Sequence, residues 1–178
     1  MPSTSIQIRD AEESDCAALA ACVDAVARER RFLASVEGFG EDSTRTYLGA
    51  IRAAHGVSLV AVQRQAVIAW CDIMPDPFEG LRHSGRLGMG VLAGYRGQGI
   101  GRRVLRRAVA LAFAQNLSRI ELEVFASNRR AIRLYEQESF VLEGRKRRAR
   151  ILDGMEDDLL LMARLRATTE TTDGSEEN

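Results

Sequence analysis

From Ile6 to Arg9 apolar and polar side chains alternate as in a strand. From Ser14 to Arg30, Leu19, Cys22, Val23 and Val26 recur at helical spacing behind a Ser/Asp start. Gly38 and Gly40 break the period between Arg31 and Glu41, which predicts a mobile loop, and a second helix is predicted from Ser43 to His55, closed by Gly56. Val57–Val62 and Ala66–Ile73 are β-rich runs on either side of Gln63, Arg64 and Gln65, the pattern of a hairpin. After a connection punctuated by Pro75, Pro77, Gly80 and Gly85, a fourth strand is predicted from Leu87 to Leu92. Gly88 and Gly90 interrupt it, and glycine inside a strand marks a bulge or a close approach to the backbone.

Gly99 to Gln115 reads as a helix with Val104, Leu105, Ala108, Leu111 and Ala112 on one face. Ser118 to Phe125 reads as a strand in which Ile120, Leu122 and Val124 alternate with Glu121 and Glu123. Strand, helix and strand in succession form a crossover, so the fourth and fifth strands should run parallel. Asn128 is placed to cap a last helix carrying Ala131, Ile132, Leu134 and Tyr135, and strands at Phe140–Arg148 and Asp158–Arg164 close around a turn at Asp153 and Gly154. The fold class is α/β (α+β), a single domain over residues 1–166. Residues 167–178, ATTETTDGSEEN, lose the apolar period and carry only acidic charge, the composition of a disordered tail.

Composition narrows the function. The 178 residues carry 25 Lys+Arg against 25 Asp+Glu, so no net field gathers nucleic acid or acidic membrane. No run reaches the roughly 18 apolar residues of a membrane span, and the start lacks a signal-peptide pattern, so a cytoplasmic location is expected. Cys16, Cys22 and Cys71 are odd in number with no CxxC or Cys/His pairing, which predicts buried, inert thiols and no metal site. The basic run Arg145–Arg150 either marks an acidic partner or is a solvated strand face with ladder partners in Asp153, Glu156, Asp157 and Asp158, the reading preferred because no aromatics interleave it.

The segment Tyr95-Arg96-Gly97-Gln98-Gly99-Ile100-Gly101-Arg102-Arg103 lies between a predicted strand and a predicted helix, where backbone N–H groups and the helix dipole converge on an anion. A Walker A loop fails, because no Lys-Ser or Lys-Thr follows, and a dinucleotide fingerprint fails on GxGxG spacing. A phosphate cradle and a tight structural turn remain. Arg96-Gly97-x-Gly99-x-Gly101, followed by Asn128, Ala131, Leu134, Tyr135 and Phe140, resembles the GCN5-related N-acetyltransferase superfamily from Ile6 to Leu165. Ala93-Gly94 and Glu138-Ser139 depart from its pattern at two turns, where relatives often carry Pro with an acid, and Gly before the Phe.

The resemblance implies the GNAT fold, a mixed, mostly antiparallel sheet of about seven strands flanked by about four helices, with strands four and five parallel and splayed. It implies acetyl-CoA as cofactor, CoA as product and an amino acid or similar small primary amine as acceptor; no nucleic-acid or membrane partner is expected, and homodimers are common among relatives. Carried over, Arg96, Gly97, Gln98, Gly99, Ile100 and Gly101 hold the pyrophosphate, while Met89, Gly90 and Val91 pair with the pantetheine arm, which Asn128 also contacts. Arg102, Arg103, Arg129 and Arg130 are candidates for the 3′-phosphate. Tyr135 falls at the position of the acid that protonates the CoA sulfur, against a bland reading as a core aromatic. Glu123 matches the base of the ribosomal-protein N-terminal acetyltransferase branch, and Glu121 beside it would raise its pKa. Asp72 or a water is the fallback. Substrate choice is expected from the loops Arg31–Glu41, Met74–Gly85 and Ile151–Met155, with Phe32, Leu33, Phe39 and Phe78 as apolar walls and Glu37, Glu41 and Glu79 as attractors of a cation. An acetyltransferase acting on protein N-termini or lysines, and a non-catalytic acyl-CoA-binding module, are the competing readings.

Overall fold

Seven strands form one sheet in the order β1-β2-β3-β4-β5-β7-β6. In the computed structural model, which describes residues 5–167, the strands are β1 (Gln7–Asp10), β2 (Val57–Gln63), β3 (Ala66–Pro75), β4 (Ser84–Val91), β5 (Arg119–Phe125), β6 (Val141–Leu152) and β7 (Met155–Leu165). The helices are α1 (Cys16–Ala27), α2 (Glu41–Ala53), α3 (Ile100–Ala114) and α4 (Arg129–Gln137). All strand pairs are antiparallel except β4 with β5. Strand alternation gives the sheet two apolar faces. Ile73, Ile120 and Leu122 pack with Val104, Leu105 and Ala108 of α3, whereas Val60, Val67 and Trp70 pack with Leu19, Cys22 and Val26 of α1 and Leu48 of α2. The predicted thiols Cys16, Cys22 and Cys71 are buried in these layers, and desolvation pushes that of Cys22 up to about 12.

Several boundaries move for local reasons. The second helix starts at Glu41, because Gly40 takes the N-cap and two acids, Glu41 and Asp42, suit the first turn. It ends on a left-handed His55 (φ 54°) rather than on Gly56. Gly56 is needed instead for space, since a Cβ there would lie 2.6 Å from the Ile73 carbonyl oxygen. The last hairpin extends to Leu152 and Met155 around Asp153 (φ 52°) and Gly154 (φ 73°), a two-residue turn with both φ positive. No helix of the described residues is long and apolar enough to cross a membrane. Arg166 still bonds Ser118 beside β5; residues 168–178 of the predicted tail lie outside the described residues.

The glycines of β4 do not make a bulge. The β3–β4 register runs one to one from Pro75↔Gly85 to Ala69↔Val91. Gly90 faces Trp70, whose ring would come within 2.1 Å of a Cβ there, and Gly88 faces Asp72. Both glycines make room for a neighbour's side chain.

Candidate active site

β4 and β5 pair only over Ser84↔Arg119, Gly85↔Ile120 and Arg86↔Glu121. Beyond that point β5 continues along β7, and β4 continues along β3 alone. The amide of Leu92 donates to Ile68 O, so in this ladder the even-numbered residues of β4 bond to β3 and the backbone of Leu87, Met89 and Val91 faces the gap. Met89 therefore turns its amide and carbonyl to the gap, and Val91 its amide, its carbonyl accepting from Arg96 at 2.8 Å. Gly90 turns neither group there: its backbone belongs to the β3 ladder and its open Cα position to Trp70.

The gap opens into a cleft of about 760 Å³ lined by Met89, Val91, Gly97, Gly99, Gly101, Asn128 and Tyr135. Gly97 (φ 85°) and Gly99 (φ 76°) take the left-handed conformation, which few other residues adopt without strain. Gly99 is the N-cap of α3 and supplies no side chain to its first-turn amides, which are left for an anion. Ile100 is buried in the core and can contribute only its amide. Gln98 does not line the cleft; its side chain donates to Gly94 O at 3.0 Å. Arg96 also departs from expectation. Its guanidinium donates to Val91 O and to both carboxylate oxygens of Glu29, and sits 4.7 Å above the Phe32 ring, so it ties the glycine loop to the α1–α2 segment. Among the arginines considered for phosphate, Arg130 lies over Gly97, with Nη2 at 2.9 Å from where a Cβ would stand, and Arg129 and Arg102 line the cleft. Arg102 is drawn to Gln137 and Glu138, and Arg103 is not a cleft residue.

Asn128 caps α4, its Oδ1 accepting from the Ala131 amide at 3.2 Å. About two turns further on, Tyr135 is buried beside Phe140, their centroids 5.8 Å apart. Its hydroxyl has no hydrogen-bond partner among the described residues and its side chain lines the cleft. Desolvation pushes its pKa above the usual tyrosine value, so it stays protonated.

A second pocket of about 450 Å³ adjoins the cleft on the α1–α2 face, and Leu87 and Gly88 line both. Asp72 and Tyr47 are in its wall. Asp72 is buried and accepts from the Tyr47 hydroxyl at 2.7 Å. Burial raises its pKa from 3.8 to about 6, against the smaller, opposing effect of that hydrogen bond. Asp72 is the Cα partner of Gly88; Glu123 lies two residues past the last β4–β5 pair, Arg86↔Glu121, and lines the cleft rather than the second pocket. Glu121 and Glu123 project away from the α3 face that holds Ile120, Leu122 and Val124.

Glu121 and Glu123, expected to act on one another, each lie against a cation. Arg119 takes Glu121 at 3.3 Å and Lys146 takes Glu123 at 2.8 Å. The basic run is a bulged stretch of the edge strand β6, in which Arg145 pairs with Asp158 and Arg148 with Glu156. Asp153 and Asp157, the other expected partners, go instead to Arg30 and Ser127. The loop expected to be mobile is tied where it begins, by Glu29 to Arg96, Arg30 to Asp153 and the carbonyls of Arg30 and Arg31 to Arg150, and again at Gly38, whose amide donates to Asp24 at 2.8 Å. Its Phe32 and Leu33 line the cleft, not the second pocket, and Phe39 and Phe78 are 63% and 71% exposed. Sequence reasoning passed over Tyr47 and Arg86, which line the second pocket. A tyrosine beside the buried stripe Thr44, Leu48 and Ile51 of α2 was the one trace of the former.

A family profile described as the Acetyltransferase (GNAT) family matches residues 18–140. Among solved structures, the acetyltransferase of the GNAT family from Streptococcus pneumoniae is 27% identical with a TM-score of 0.85, over 91% of this chain and 100% of that one. The ribosomal-protein-alanine N-acetyltransferase from Brucella melitensis is 26% identical with a TM-score of 0.84, over 90% and 99%. The yncA protein of Salmonella typhimurium, solved with its cofactor acetyl-CoA, shares the fold at 19% identity and a TM-score of 0.86, over 95% and 98%. No curated protein matches the sequence.

Proposed function

This chain belongs to the acetyltransferase (GNAT) family, and from that premise we propose that it moves an acetyl group from acetyl-CoA to the primary amine of a small molecule, by direct attack with both substrates bound. The observation that carries the reading is the meeting of the two cavities at Gly88, with Asp72 buried on one side and the glycine-capped α3 at the far end of the cleft. Acetyl-CoA has solved precedent in this fold, and the residues present fit it. The amides at Gly97–Gly101 would hold its pyrophosphate, Arg130 its 3′-phosphate, and the backbone of Met89 and Val91, with the Asn128 amide group, its pantetheine arm. When bound, it supplies the thioester.

Asp72 takes the proton from the incoming amine. A carboxyl with a pKa of about 6 is ionised at neutral pH yet basic enough to accept it. Glu123, paired with Lys146 at 2.8 Å, lines the cleft side; in this reading the role of base expected of it passes to Asp72, which is the more buried of the two. An amide of the free edge of β4 polarises the thioester carbonyl. An ammonium acceptor gives up two protons: Asp72 passes the first to solvent before attack, and the second, lost as the N–C bond forms, restores the proton that Tyr135 gives to sulfur as the C–S bond breaks. Tyr135 and Asp72 together weigh against a binding module without activity. The similarity to the Brucella ribosomal-protein-alanine N-acetyltransferase supports a second reading, in which the acceptor is a protein N-terminus.

The test is CoA release, followed by a thiol reagent, with acetyl-CoA and a panel of amino acids, polyamines, aminoglycosides and short peptides, alongside calorimetry of acetyl-CoA binding. Turnover of small amines ahead of peptides is expected. Binding without turnover of any of them would remove the transfer reading.

A further inference from the structure

The second pocket contains four charged side chains: Asp72, Asp76, Glu121 and Arg86. The acids each have a partner. Asp72 accepts from Tyr47, Asp76 from the Phe78 amide at 3.0 Å, and Glu121 from Arg119. Arg86 has no hydrogen bond or ion pair among the described residues. Its neighbour in the β4–β5 ladder is Glu121, which would ordinarily take it. Arg119, which also holds Glu143 at 2.5 Å, turns that carboxylate away.

Position adds the second half of the argument. Arg86 and Gly88 are two apart on β4 and project on one face, roughly 7 Å from Cα to Cα. An amine over Gly88, within reach of Asp72, leaves the rest of its molecule beside a guanidinium that lacks a partner. Arginine in that state is suited to a carboxylate, which it can grip through two parallel N–H···O bonds. Met74, Pro75, Pro77 and Leu87 give the rest of the wall an apolar stretch, beside Tyr47, Ser84 and the two glycines. Taking the transferase reading above as its basis, we propose that the acceptor is a free α-amino acid with an apolar side chain, its carboxylate held by Arg86 and its amine delivered to Asp72. A peptide N-terminus lacks that carboxylate, so Arg86 selects against it.

The experiment compares leucine, methionine and phenylalanine, each against its amide and its decarboxylated amine, by CoA release and by calorimetry in the presence of CoA. The wild-type protein should favour the acids by roughly tenfold or more in kcat/KM, the Arg86→Gln variant should bring that ratio towards unity by raising KM, and Arg86→Lys should restore part of it. Arg86 is exposed at the surface of a paired strand, so these variants should fold. Equal or better use of amides and amines by the wild type would overturn the assignment while leaving the transferase standing. Tighter binding of the acids, lost in Arg86→Gln but without any turnover, would keep the assignment and remove the transferase. Failure of all three amino acids to bind or react would overturn it as well.

Discussion

The two cavities that meet at Leu87 and Gly88 are built from different materials. On the cleft side the groups offered to a ligand are mostly backbone: two left-handed glycines, the first turn of α3 and the free edge of β4. On the pocket side they are side chains from four elements, Tyr47 of α2, Asp72 of β3, Arg86 of β4 and Glu121 of β5. Backbone amides carry no pKa and cannot be removed by exchanging a side chain, so a cleft made of them presents one fixed ligand shape. Side chains on a common sheet face can be exchanged without disturbing the ladder beneath them. The division lets one scaffold hold a constant donor and vary its acceptor, and it predicts that the halves will respond to different kinds of substitution.

The largest effect should come from the pocket. Asp72→Asn keeps shape and can still accept from Tyr47 but cannot take a proton, so kcat/KM should fall on the order of a thousandfold, the acidic limb of the pH–rate profile near pH 6 should vanish, and acetyl-CoA affinity by calorimetry should hold. An unaltered limb would return the role to Glu123 or to water. The same substitution should raise Tm at pH 7. Folding raises this carboxyl from 3.8 to about 6, so the folded protein binds the proton more tightly than the unfolded chain, and stability falls as pH rises through that interval. Above it the ionised, buried carboxylate costs about 3 kcal/mol, which asparagine avoids.

In the cleft the complementary change is to the backbone. Gly99→Asp combines a strained φ of 76° with a negative charge at the helix N-cap where the pyrophosphate is proposed to sit, and acetyl-CoA should bind roughly 50-fold more weakly by calorimetry. Nothing stands within 4 Å of a Cβ there, so loss of affinity with the fold retained is expected. Unchanged affinity would break the division between the two halves.

The same division explains what was legible in the sequence. The glycine loop is local: its glycines, the strand before it and the helix after it are contiguous, so the cleft could be read from Arg96 to Gly101, and Asn128 to Phe140 added the helix bearing Tyr135. The parallel pairing of β4 with β5 followed from the crossover. The pocket could not be read this way, because Tyr47, Asp72, Arg86 and Glu121 come together only through strand register and the packing of α2 on the sheet. Glu123 had a matching position in the chain, but Lys146, its partner, lies 23 residues away across β7. Arg96 belonged to the glycine motif, yet its side chain is claimed by Glu29, 67 residues earlier. Spacing identifies which residues share a motif; it does not say which ion pairs the fold will close.

Tyr135 tests the boundary between the halves, being a cleft residue proposed to act through its side chain. Tyr135→Phe removes a hydroxyl with no partner among the described residues and leaves the ring against Phe140, so folding should be unaffected. The step that protonates sulfur should slow roughly tenfold or more in kcat, with acetyl-CoA affinity nearly intact. A rate constant for chemistry equal to that of the wild type would make Tyr135 a packing residue.

The smallest change expected is at Ser139, where the chain leaves α4. Ser139 has φ 65°, its amide donates to Glu136 O and that of Phe140 to Tyr135 O, the pattern of a Schellman motif whose left-handed position favours glycine. Ser139→Gly relieves the Cβ at that position, and because the native conformation already demands a positive φ, the gain outweighs the greater freedom of glycine in the unfolded chain. Stability should rise by about 1 kcal/mol, read as a small increase in Tm, with kcat and KM unaltered. A rise in Tm with a lower kcat would show that the end of α4 must yield for Tyr135 to act, and the cleft would then depend on motion of its backbone as well as on its shape.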